Sequence, residues 1–142
     1  MDEQDSSSEI IQTLLVVDGE VLVRFPICSY LRQCGFKVIE AVNAEEAIRI
    51  LTEPALSVDL VMSDVDLPGP MDGFALAQWI RREKPGLPVI LAGTLARATH
   101  AAADLCASGP MLAKPYDAQI LLDRIKRLLS SKTGGRSPKD GS

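Results

Sequence analysis

Short apolar runs alternate along this chain with stretches of helical length. That alternation constrains the fold more than any other feature. The runs are "TLLVV" (13–17), "FKVIEA" (36–41), "VDLVMS" (58–63), "LPVILA" (87–92) and "MLA" (111–113). Between and after them come "EVLVRFPICSYLRQC" (20–34), "AEEAIRILTE" (44–53), "FALAQWIRREK" (74–84), the Ala-rich "TLARATHAAADLCAS" (94–108) and "DAQILLDRIKRLL" (117–129). Continuous apolar strands between amphipathic helices predict an α/β domain. Its parallel five-stranded sheet is covered by helices on both faces.

Local signals mark the element ends. Asn43 and Asp72 stand where helix N-caps belong, and Asp72 reads as a cap rather than a ligand. Gly35, Pro54 and Pro85-Gly86 stand where helices stop. In the first helix, Leu22, Phe25, Ile27, Tyr30 and Leu31 are spaced to form an apolar face. Pro26 interrupts it, because it removes an N–H and crowds the carbonyl of Leu22, and an irregular helix is expected there. Residues 1–11 are acidic and Ser-rich, and residues 131–142 cannot bury a face. Both are expected to be disordered tails around a domain spanning 12–130.

Composition excludes several function classes. A net charge of −4 with no basic run gives nucleic-acid binding no support. No apolar run approaches the roughly 20 residues that span a bilayer. The acidic N-terminus is the reverse of a secretory signal. Cys28, Cys34 and Cys106 form no CxxC pair, so buried, reduced thiols in a cytoplasmic protein are expected. His100 reads as a surface residue and Trp79 as a packing residue.

In parallel sheets ligands sit beyond the carboxyl ends of the strands. That places Asp18, Asp64, Ala92-Gly93-Thr94 and Lys114 along one edge. Paired carboxylates favour a hard cation such as Mg²⁺, and a lysine opposite them neutralises the cluster or holds an anion. Together they suit phosphoryl transfer, with a carboxylate as nucleophile. "DVDLPG" is a poor calcium loop, with Pro68 at its fifth position and Ala75 where a bidentate Glu belongs.

With "LLVVDGE", "DLVMSDVDLPGPMDG" and "MLAKPY" in this order, the chain from Thr13 to Leu129 resembles the receiver domain of bacterial two-component response regulators. The resemblance implies a flavodoxin-like, doubly wound fold with sheet order 2-1-3-4-5. It implies that Asp64 accepts a phosphoryl group from a histidine kinase or histidine phosphotransfer protein. Asp18, Asp64 and the main-chain carbonyl of Asp66 would hold Mg²⁺, Lys114 would contact the phosphoryl group, and the Lys114–Pro115 bond would be cis.

Three positions depart from the family pattern. Gly19 stands where a second acid is usual, with Glu20 as the alternative carboxylate, so weak Mg²⁺ binding is expected. Gly19→Asp is expected to tighten it roughly tenfold. Ala92 stands where a hydroxyl is usual, with Thr94 as its possible substitute. Met111 stands where a switching aromatic is usual, so coupling from site to surface is expected to be weak. The leading reading is a single-domain receiver, not an enzyme. Its output would be a protein partner bound on the face of the fourth helix, fifth strand and fifth helix. The alternative is a degenerate receiver acting as a phosphorylation-independent interaction module. A small phosphohydrolase ranks last.

Overall fold

In a computed structural model, residues 10–93 and 112–141 are described, with side chains described as far as residue 131. The expected fourth helix over 94–108, with Thr94, His100 and Cys106, lies outside the described residues, as does Met111. The elements in chain order are β1 (Thr13–Val17), α1 (Val21–Gln33), β2 (Lys37–Ala41), α2 (Ala44–Thr52), β3 (Leu60–Asp64), α3 (Gly73–Glu83), β4 (Val89–Gly93), β5 (Leu112–Ala113) and α4 (Ala118–Gly141). The strands form one sheet of order β2-β1-β3-β4-β5, and every pairing is parallel. This is the expected flavodoxin-like arrangement.

The period-2 geometry of strands divides the core in two. On one face, Leu14 and Val16 of β1 join Leu60 and Met62 of β3 with Ile90 and Ala92 of β4. Cys28 and Leu31 of α1 and Leu121, Leu122, Ile125 and Leu129 of α4 cover them. On the other face, Leu15, Val17 and Val61 pack under Ala44, Ala47 and Leu51 of α2 and Leu76 and Ile80 of α3. β1 is buried at all five positions, which is why it reads as a continuous apolar run.

The helix starts follow the sequence. Asn43 Oδ1 accepts from the Glu46 amide at 2.8 Å, and Glu46 Oε1 accepts from the Val42 amide at 2.8 Å, so α2 begins with a near-reciprocal cap. Asp72 Oδ1 accepts from the Ala75 amide at 2.9 Å.

The first helix corrects three expectations. Cys34, just past its end, is exposed rather than buried, unlike Cys28. Leu22 and Phe25 are not on the buried face: they are 87% and 60% exposed. The inward position of that turn is taken by Arg24, one turn before buried Cys28. Its guanidinium donates to the Asp18 carbonyl at 2.6 Å and pairs with Glu40 at 2.7 Å. The ion pair fixes the helix's rotation, and the neighbouring apolar side chains turn outward. The expected irregularity is also absent at the level of the helix: α1 runs unbroken through Pro26. Pro26 is exposed, so its ring sits on the solvent side, where water can serve the carbonyl left without a donor.

The last helix, expected over 117–129, runs from Ala118 to Gly141. Among the residues whose side chains are described, Leu129 is the last buried one. Apolar periodicity reports only the packed part of a helix, and backbone helicity continues beyond it.

Candidate functional site

Strand register brings the expected site residues together. Val17 pairs with Ser63, so the next residues, Asp18 and Asp64, leave neighbouring strand ends side by side. Asp64 pairs with Ala92, and Ala92 with Leu112. Lys114 lies two residues past Leu112 and returns to the same face. One parity therefore collects two acids, an alanine and a lysine at the carboxyl edge of three central strands and β5.

Contacts follow from that placement. Lys114 Nζ lies 3.1 Å from Asp64 Oδ1 and 3.3 Å from Asp18 Oδ2. Asp18 and Asp64 are both buried, while Lys114 is partly exposed. The second oxygen of Asp18 accepts from the Glu20 amide at 2.9 Å. The Lys114 amide bonds the Gly93 carbonyl, anchoring the turn at β5. The Lys114–Pro115 bond is cis, as the resemblance implied.

The electrostatics are those of a partly desolvated ion triad. Burial pushes the Asp64 carboxyl above its ordinary range, the Lys114 ammonium opposes that rise, and the Asp18 charge adds to it. Burial pulls Lys114 down, but Asp18 and Asp64 outweigh it, and the ammonium ends above its usual 10.5. Lys114 is therefore charged at neutral pH.

The remaining candidates sit around this triad. Glu20 is exposed and reaches the site through its amide; its side chain caps nothing. Asp66 is exposed, one residue beyond fully buried Val65. Ala92 is fully buried beside Asp64, with only a methyl group where a hydroxyl was sought. Among the described residues no group of three or more His, Cys, Asp or Glu side chains is arranged to hold a metal ion. Asp18 and Asp64 bring two carboxylates to one edge, oxygen donors of the kind that a hard cation such as Mg²⁺ takes.

Sequence reasoning missed three contributors. Arg24 braces the Asp18 backbone from below. Tyr116 packs against the core face carrying Cys28, and its phenol is raised by burial and by the charges of Asp18 and Asp64. Pro68 lies against Gly19, a long-range approach with no sequence signal.

Comparisons with known proteins agree with this geometry. The response regulator receiver domain family matches over residues 14–126. The response regulator protein FleR of Pseudomonas aeruginosa is 35% identical over 131 residues, covering 90% of this chain and 26% of FleR. The sensor kinase CckA of Brucella abortus is 32% identical, covering 84% of this chain and 13% of that protein. The chain thus spans only a fraction of the length of these relatives. Among solved structures, a response regulator receiver protein from Sinorhizobium medicae superposes with a TM-score of 0.78 at 25% identity, covering 86% of this chain and 97% of that one. NtrX from Brucella abortus superposes with a TM-score of 0.81 at 26% identity, covering 94% of this chain and 30% of that one. By its matched family, its strand order and its Asp18–Lys114–Asp64 edge, the chain belongs to the response regulator receiver domain family.

Proposed function

We propose that Asp64 is the phosphoryl acceptor of this receiver, and that the donor is a phosphohistidine on a histidine kinase or phosphotransfer protein. The observation that carries this reading is Lys114 Nζ, held 3.1 Å from the Asp64 carboxylate by strand register. An Asp64 oxygen attacks phosphorus, the P–N bond to the donor imidazole breaks, and the imidazole nitrogen regains a proton. The product is an acyl phosphate whose oxygens Lys114 neutralises. Asp18, Asp64 and the Asp66 carbonyl are the groups that would hold Mg²⁺, which would supply positive charge beside the phosphoryl oxygens. Glu20, two residues from Asp18, is a further carboxylate by sequence.

Output passes to a protein partner through the face of β5 and α4; the fourth helix expected to share that face lies outside the described residues. Exposed Ile120 on α4 supplies apolar surface there. Ala92 gives the phosphoryl group no hydroxyl to pull on, so coupling to that face is weak unless Thr94 replaces it. A cytoplasmic setting follows from this role. No described helix is long and apolar enough to cross a membrane.

Gly19 and Ala92 favour a second reading, in which the fold binds its partner without phosphorylation. One experiment separates the two. The protein is incubated with a small-molecule phosphodonor and Mg²⁺, and the label is mapped by mass spectrometry. Label on Asp64, absent from Asp64→Asn, supports the first reading. No label supports the second. A label on Asp66, or one that survives Asp64→Asn, sinks the Asp64 assignment.

A further inference from the structure

The inward face of α1 carries Arg24, Cys28 and Leu31 at helical spacing, and its first member is a cation. Cys28 and Leu31 are fully buried, and the Arg24 side chain is only 12% exposed. An apolar residue would fill that place at no electrostatic cost, whereas a desolvated guanidinium needs its donors satisfied. Arg24 has two acceptors. Its Nη1 donates to the Asp18 carbonyl at 2.6 Å and its Nε to Glu40 Oε1 at 2.7 Å. Arg32 holds the other Glu40 oxygen at 3.1 Å. Glu40 therefore aims the Arg24 guanidinium, and the target is the main chain of Asp18.

That main chain sets the direction of a site carboxylate. The Asp18 amide donates to the Ala41 carbonyl at 3.0 Å, which ties it to β2. Asp18 Oδ1 accepts from the Glu20 amide at 2.9 Å, and Oδ2 lies 3.3 Å from Lys114 Nζ. The Glu20 carbonyl accepts from the Arg24 amide at 2.9 Å. Arg24 thus grips the turn over residues 18–20 at two carbonyls, one through its side chain and one through its amide. Between them stands Gly19, the residue type that restrains neighbouring peptide planes least. Without a donor on the Asp18 carbonyl, the peptide between Asp18 and Gly19 is free to rotate. The Glu20 amide then moves off Oδ1, and the carboxylate loses one of its two anchors.

We propose that Arg24, aimed by Glu40, is a positioning residue for the Asp18 carboxylate and through it for the cation site. This rests on the reading that Mg²⁺ binds at Asp18 and Asp64. Positioning and charge predict opposite signs. Removing the guanidinium leaves the surroundings of Asp18 more negative, and by Coulomb attraction alone a cation would bind more tightly. Loss of positioning makes it bind more weakly.

The test compares Arg24→Met with Arg32→Met by Mg²⁺ titration calorimetry without phosphodonor, and by hydrogen exchange of the Glu20 amide without metal. Arg32 bonds Glu40 and the Val38 carbonyl, so its removal weakens the same ion network without touching Asp18. Arg24→Met is expected to bind Mg²⁺ about tenfold more weakly, the lower end of the loss when a group that orients a metal ligand is removed. Its Glu20 amide is expected to exchange about tenfold faster. Arg32→Met is expected to stay within about twofold of the parent in both, since its pair is half exposed. Unchanged or tighter Mg²⁺ binding in Arg24→Met overturns the proposal. An equal loss in Arg32→Met also overturns it, because the cause would then be general destabilisation. If Arg24→Met does not fold, Arg24→Lys replaces it: the ammonium ends short of the Nη1 position and follows Glu40, leaving the Asp18 carbonyl. Parent-like Mg²⁺ affinity in that variant overturns the proposal. If the parent binds no Mg²⁺, the cation reading fails, and Glu20 exchange still decides the role of Arg24: a parent-like rate in the variant overturns it. Phosphoryl labelling is a separate measurement, so an unlabelled Asp64 refutes the phosphoacceptor reading alone.

Discussion

Replacing Lys114 by Met removes the cation from between two buried carboxylates while keeping most of the side chain's length. The structure sets the size of the effect. The ammonium lies 3.1 and 3.3 Å from its partners. At an effective dielectric near 20, each pair contributes about 5 kcal/mol of attraction. Desolvation offsets much of this, and Lys114 is partly exposed. Breaking a buried pair from one side costs about 3–5 kcal/mol, so about 2–4 kcal/mol is expected here at pH 7.

The pH dependence is the sharper test. Asp64 already stands above its ordinary range because of burial, with Lys114 holding it down. Without Lys114 it rises further. A carboxyl raised in the folded state contributes stability at pH below its unfolded value, and that contribution is lost as pH rises through the folded value. The deficit of Lys114→Met should therefore be largest near neutral pH and narrow on acidification, as Asp64 takes a proton and the two carboxyls cease to repel. Urea denaturation in chelator at a series of pH values measures it. Adding Asp64→Asn should recover most of the loss at neutral pH. A deficit equal at every pH, or no recovery by Asp64→Asn, would refute the account of the triad.

Gly73→Ala should cost about 2–4 kcal/mol, because its Cβ would overlap the Asp64 carbonyl oxygen and lie 2.6 Å from the Val65 Cα, backbone atoms that cannot step aside. A melting curve superimposable on the parent's would show that α3 can shift freely. Arg24→Met should cost about 2 kcal/mol at pH 7, since the side chain braces both the Asp18 carbonyl and Glu40. The Arg24 hydrogen bond lowers the Glu40 carboxyl despite the opposing effect of burial, so its contribution is present above the unfolded value and lost as pH falls through the folded one. The gap between parent and variant should narrow in acid to the part owed to the Asp18 carbonyl, and a gap of the same size at every pH would refute the Glu40 assignment.

What the sequence determined by itself is what local chemistry controls. Apolar runs of strand length, the Asn43 and Asp72 caps and the stop at Pro85-Gly86 place most elements to within about two residues. An extended run buried on both faces admits few other conformations. The order of Asp18, Asp64 and Lys114 at strand ends was legible too, because parallel strands point their carboxyl ends the same way. Tertiary structure decided the rest, through contacts between residues distant in the chain. Leu22 and Phe25 have the spacing of a buried face, yet Arg24 takes the inward position because Glu40 waits on β2. Gly19 reads as a missing acid, and only the folded chain brings Pro68 against it. Periodicity reports which side of an element is apolar; which side faces inward, and what stands against it, depends on partners that no local window contains.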